Sequence, residues 1–176
     1  MNLNINYRIL ESENLNQYRK IRFECLKNNA ENFGTLYEEE IDSESLKFDK
    51  IISENNGIDF LLGAFENENL IGICGYIQEK RLKTRHIGEI SQMYVKPEFS
   101  RKGIATQLIK LTLKKGFKNE YVEQIILGVV NSNKSALNLY NKIGFIQYGT
   151  IEKYYKLNEN YEAMTFLNLR KENFNK

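Results

Sequence analysis

The sequence predicts an α/β fold: a single domain with a mixed, mostly antiparallel sheet of about seven strands and helices on both faces. Three observations predict it. Short runs that are β-branched or alternate apolar with polar are interleaved with segments carrying an apolar helical stripe. Two of those runs, Phe60 to Phe65 and Leu70 to Ile77, flank the polar turn Glu66-Asn67-Glu68-Asn69, which is a hairpin by spacing. From Ile87 to Val130 the order is strand, helix, strand, a crossover that makes part of the sheet parallel. A chain of 176 residues fits one domain and buries a core without staples. Residues 1–170 are assigned to that domain and 171–176 to a charged tail expected to fray.

Taken in order, Ile5 to Leu10 alternates and reads as the first strand. Asn14 is placed to cap a helix whose stripe is Leu15, Tyr18, Ile21, Cys25 and Leu26. Thr35 to Glu38 fits a capping box for a short helical turn, with Phe33, Leu36 and Tyr37 packing down. Leu46, Phe48, Ile51 and Ile52 mark a second helix, ended near Asn55-Asn56-Gly57. The hairpin follows, and Gly72 and Gly75 in its second strand mark close approach of another backbone or a ligand. After the basic loop Lys80 to His86 comes the strand Ile87 to Val95. A helix runs from Gly103 to about Asn119 with a wide apolar stripe, as a helix on a sheet requires. Gln124 to Val130 is a strand, Lys134 to Ile143 a helix closed by Gly144, and Phe145 to Glu152 and Tyr161 to Leu169 the last strands.

Composition narrows the function. Lys plus Arg number 25 and Asp plus Glu 23, a net charge of +2, so nucleic acid is not an expected partner. One histidine and two cysteines at unrelated positions give no metal-site spacing, and no metal is expected. Cys25 and Cys74 read as small buried apolar residues. The N-terminus lacks a basic start and an apolar run, and no stretch is long enough to span a bilayer. A cytoplasmic protein without a membrane partner is the resulting expectation. A homodimer is left open.

Chemistry concentrates where the strand ending at Val95 passes Pro97 and enters a helix through Ser100-Arg101-Lys102-Gly103-Ile104-Ala105. A helix start leaves main-chain N–H groups unpartnered at the positive end of the dipole, and small residues let an anion reach them. By itself this turn is as well explained by a bare helix start. A second segment, Asn133-Lys-Ser-Ala136-Leu-Asn-Leu-Tyr140-Asn-Lys-Ile-Gly144-Phe145, opens the next helix after a strand. The two together resemble the GNAT superfamily of N-acetyltransferases, whose strand carries Val-x-Pro, whose turn reads Gln/Arg-x-x-Gly-x-Gly/Ala, and whose later helix reads Asn-x-x-Ala-x-x-x-Tyr-x-x-x-Gly-Phe. Ser100 departs from the Gln or Arg of that pattern.

The resemblance implies a GNAT-like domain with a splayed parallel strand pair holding acetyl-CoA. It implies that the main chain of Met93, Tyr94 and Val95 pairs with the pantetheine arm. Arg101, Lys102, Gly103, Ile104, Ala105 and Thr106 would wrap the pyrophosphate, and Asn133 would bond the arm. It also implies acetyl transfer to a primary amine, in a small molecule or peptide, by direct attack in a ternary complex. Tyr140 matches the family's general acid; its alternative is a core tyrosine. Glu89 is the candidate base, with a solvent-facing ion-pair partner as its alternative, and each such group contributes about 10²–10⁴-fold. His86 is a weaker candidate. Glu38-Glu39-Glu40, Asp42 and Glu44 would make an acidic acceptor wall for a cationic amine, with Phe33 and Tyr37 at its mouth. Arg81, Lys83 and Arg85 would instead suit an acidic acceptor or the 3′-phosphate of CoA. Two alternatives stand beside the small-molecule enzyme: a non-catalytic acyl-CoA-binding regulator, and a protein N-terminal or lysine acetyltransferase.

Overall fold

The computed structural model describes residues 4–174. Its elements are β1 (Ile5–Ile9), α1 (Leu15–Asn28), α2 (Tyr37–Ile41), α3 (Asp49–Glu54), β2 (Phe60–Glu66), β3 (Asn69–Gln78), β4 (Ile87–Val95), α4 (Ile104–Gly116), β5 (Gln124–Val130), α5 (Lys134–Ile143), β6 (Ile146–Leu157), β7 (Asn160–Arg170) and α6 (Lys171–Phe174). The strands form a seven-stranded sheet in the order β1-β2-β3-β4-β5-β7-β6. Every pairing is antiparallel except β4 with β5, where the α4 crossover intervenes. This is the mixed α/β sheet that the interleaved periodicities predict.

Two apolar layers hold it. One face of the sheet packs Ile71, Ile90, Ile125 and Leu127 against Leu108, Ile109 and Leu113 of α4 and Tyr140 of α5. The other packs Leu61, Phe65 and Ile73 against Tyr18, Ile21 and Leu26 of α1 and Ile52 of α3. Stripes at i, i+3 and i+4 therefore do on both faces what the sequence assigns to them. Among the described residues no helix is long and apolar enough to cross a membrane.

Local signals are redistributed in several places. Asn14 does not bond into α1; its Oδ1 turns back to accept from the Glu11 N–H and from Arg8. The capping box is displaced by one residue, because Leu36 is the cap and Glu39, not Glu38, accepts from its N–H. The α4 helix stops at Gly116 rather than Asn119, and Asn119 instead caps the next turn and donates to Gln78. The β6 strand extends five residues past Glu152 because the register slips between Ile151 and Tyr155, absorbing the polar pair Glu152-Lys153 in a bulge. Residues 171–174 form a helical turn whose Phe174 ring packs on Phe117, 5.5 Å between centroids, rather than fraying.

Gly75 shows what close approach means here. A Cβ built on it would lie within 2.8 Å of a carbon of the Phe48 ring and of the Ser91 carbonyl oxygen. The approaching group is thus the loop before α3 together with the neighbouring strand, not a ligand. Gly75→Ala should lower stability by about 1–3 kcal/mol through overpacking. Urea denaturation reads this directly, and an unchanged midpoint would mean that Phe48 moves aside freely.

Candidate active site

The site begins with a break in pairing. β4 and β5 are in register only from Ile87↔Gln124 to Glu89↔Ile126. Beyond that β5 stays with β7 as far as Val130↔Met164, while β4 stays with β3 as far as Val95↔Gly72. The divergence coincides with a bulge in which Gln92 and Met93 stand opposite Cys74 alone. Gln92 has φ +53°, a left-handed conformation costing a non-glycine residue about 1–2 kcal/mol. Tyr18, wholly buried on α1, holds it: the hydroxyl donates to Gln92 Oε1 at 2.9 Å and accepts from the Phe48 N–H at 3.4 Å.

The divergence opens a cavity of about 1150 Å³. At one end it is lined by Arg101, Gly103, Ile104, Ala105 and Thr106, where α4 begins. The first-turn N–H groups of α4 have no carbonyl a turn earlier to bond and sit at the positive pole of the helix. Gly103 caps the helix at φ +79°, and a Cβ there would meet no atom within 4 Å. Its absence is required by the backbone conformation, not by crowding, and leaves the turn open to an anion. Lys102 corrects part of the expected constellation. Its side chain does not line the cavity; Nζ donates to the Glu98 carbonyl at 3.0 Å and lies over the Phe99 ring. Only its main chain remains for the turn.

Met93, Tyr94 and Val95 line the middle along the edge of β4 that β5 has left. The Tyr94 side chain leaves by the opposite face, its hydroxyl donating to Glu24 at 3.1 Å. Asn133 lines the cavity too, but its Oδ1 is engaged as the α5 cap, accepting from the Ala136 N–H and the Ser135 hydroxyl at 3.0 Å each. Its amide Nδ2 is the group left for a ligand. Tyr140 is both things the sequence allows: a core residue 6% exposed, edge-packed on Phe145, and part of the cavity wall. Burial pushes its hydroxyl pKa well above the ordinary value, with nearby Cys74 adding to the effect.

Glu89 lines the cavity with its side chain 44% exposed and Oε1 3.9 Å from Lys47 Nζ. Lys47 Nζ also donates to the Ser91 hydroxyl at 3.0 Å. His86 lies outside the lining, as do Arg81, Lys83 and Arg85; the last stacks on Tyr121. Neither cysteine reaches the cavity, and burial pushes the Cys25 thiol to about 11 and the Cys74 thiol to about 12.

The acceptor end differs most from expectation. Of the acidic run only Glu40 lines the cavity, and Arg22 grips it through two hydrogen bonds of 2.6 and 2.8 Å. Arg22 is 3% exposed and lies over the Phe33 ring. Glu39 is consumed as a cap, and Glu38, Asp42 and Glu44 are exposed outside the lining. Among the described residues the lining holds no acidic wall. The opposite wall, not foreseen, is aromatic: Tyr148, Tyr154 and Tyr155 of β6 with Phe166 of β7. A roof forms where Gly34 lies against the Tyr155 ring, so closely that a Cβ would overlap its hydroxyl. The Tyr-rich stretch of β6 was the available signal; in its partner loop, residues 29–35, Phe33 was expected at the cleft mouth and lines the cavity, whereas Tyr37 does not.

Comparison with known proteins agrees with this geometry. The acetyltransferase (GNAT) family model matches residues 15–145. N-alpha-acetyltransferase 30 of Schizosaccharomyces pombe is 29% identical over 97 residues, 55% of this chain and 64% of that protein. The chain thus covers less than two thirds of that relative, whereas the spermidine N(1)-acetyltransferase of Vibrio cholerae is 28% identical over 168 residues, 92% of this chain and 90% of that one. In structure, a GNAT-family acetyltransferase from Streptococcus pneumoniae superposes with TM-score 0.81 at 19% identity, over 94% of this chain and 99% of that one. The yncA protein of Salmonella typhimurium, whose structure holds its cofactor acetyl-CoA, gives 0.76 at 14% identity, over 94% and 93%.

Tyr18→Phe removes the hydroxyl that holds the bulge and leaves buried partners unsatisfied. It should reduce stability by about 1–2 kcal/mol in denaturant titration. An unaltered midpoint would show that the bulge holds itself.

Proposed function

The chain belongs to the acetyltransferase (GNAT) family, and we propose that it is an acetyl-CoA-dependent N-acetyltransferase acting on a primary amine by direct attack in a ternary complex. The observation that carries this reading is the wedge between β4 and β5, with a free strand edge in its middle and the open start of α4 at one end. An extended amide-bearing arm followed by a pyrophosphate matches those two features in that order.

The residues present suit acetyl-CoA. The main chain from Met93 to Val95 would pair with the pantetheine arm, and Asn133 Nδ2 would donate to it. The N–H groups of Gly103, Ile104, Ala105 and Thr106, with Arg101 beside them, would take the pyrophosphate. When bound, acetyl-CoA supplies its acetyl group as a thioester, whose C–S bond breaks as the C–N bond to the amine forms. A main-chain N–H of the Met93–Val95 edge donates to the carbonyl oxygen as charge collects there. Glu89 receives, through water, the proton that the attacking nitrogen sheds. Tyr140 gives its hydroxyl proton to the departing sulfur and regains one from solvent. Its raised pKa keeps it protonated at neutral pH, the state that a donor requires. The high thiol pKa values of Cys25 and Cys74, and their absence from the cavity lining, support direct transfer over an acylated cysteine.

The amine enters between residues 29–35 and the β6–β7 hairpin. The test is thiol release from acetyl-CoA across polyamines, amino acids, aminoglycosides and peptides, by wild type and Tyr140→Phe. We expect turnover on one class, with kcat lowered by about 10²-fold or more in the variant and the KM for acetyl-CoA little changed. Silence on every amine with CoA still bound would instead make the protein a non-catalytic acyl-CoA binder, and a raised KM with intact kcat would return Tyr140 to the core.

A further inference from the structure

The charges of the acceptor end lead beyond the reaction to its selectivity. Both carboxylates that line the cavity already face a cation: Glu40 is gripped by Arg22, and Glu89 lies 3.9 Å from Lys47. The remaining charged residue of the lining, Arg101, is positive and stands at the far end. The two ion pairs differ in kind. Arg22–Glu40 is buried and bidentate, a fixed element that holds α2 to α1. Lys47 is 45% exposed on a loop and, among the described residues, holds only the Ser91 hydroxyl and, loosely at 3.9 Å, Glu89, so its charge is only partly offset and faces whatever occupies the cavity. The same cavity carries an aromatic wall, with Phe166 6.2 Å from Tyr148 and 5.6 Å from Tyr154 between ring centroids.

We infer that Lys47 is a specificity-determining residue that excludes polycationic amines, and that the acceptor is an amine carrying one positive charge on an uncharged, apolar or aromatic body. The inference rests on the acetyl-transfer reading. A second ammonium on the acceptor would find no unpaired carboxylate among the lining residues and would meet the Lys47 charge in a partly desolvated cleft. A single ammonium sheds its charge before attack, while its apolar body gains the tyrosine faces.

The test compares kcat/KM for spermidine with that for monoamines and peptide amides having uncharged side chains, in wild type, Lys47→Glu and Lys47→Met. Wild type should prefer the uncharged bodies. Lys47→Glu should shift the ratio toward spermidine by about tenfold or more, Lys47→Met by less, and about 0.5 M salt should shrink the shift, which a merely structural effect would not do. Should Lys47→Glu fail to fold, Lys47→Met still reads the loss of charge. Wild type that prefers spermidine, or a ratio unmoved by both variants, overturns the inference and leaves acetyl transfer standing. Silence on all amines with CoA bound overturns the transfer reading and this inference with it.

Discussion

Gln92 sits at φ +53° inside a β-strand, in the bulge that coincides with the division of the sheet into two diverging halves. A side chain resists this conformation by about 1–2 kcal/mol, so something must hold it. Tyr18 does, from α1, by a hydrogen bond whose donor is wholly buried and whose acceptor is half-buried. The strain is small against the burial around it. In return β4 keeps its pairing with β3 while giving up β5, leaving main-chain groups unpaired along a slot wide enough for a ligand rather than a strand.

Much of this architecture is legible in the sequence because it depends on local chemistry. The hairpin at Asn67-Glu68, the α5 helix bounded by Asn133 and Gly144, and the glycine at the mouth of α4 are each determined by a few adjacent residues. The bulge is not legible, because glutamine is no marker of a left-handed conformation and its holder lies 74 residues away. The same limit explains the acidic run. Glu38-Glu39-Glu40 reads as a charged wall until the partners of each acid are known, and those are a main-chain N–H for Glu39 and a buried arginine 18 residues earlier for Glu40. Lys102 fails for a different reason: its position in the motif is right, but its ammonium finds a carbonyl one turn back.

The two ends of the cavity are electrostatically unlike. One offers a helix start whose N–H groups no side chain caps, and Arg101, a setting for a doubly charged anion. The other offers one buried ion pair, one loose and half-exposed pair, and tyrosine faces. Tyr140 and the β4 edge line the same cavity, with Tyr140 at once part of the core and part of the wall. Its burial both secures its position and keeps its proton.

The most direct test of the account is hydrogen exchange at the main-chain amides of residues 92–95 and 103–106, with and without CoA. The slot between β4 and β5 predicts that both segments gain protection together on binding, as an edge becomes paired and a helix start becomes capped. CoA binding that leaves both segments exchanging as before would place the ligand elsewhere and contradict the account.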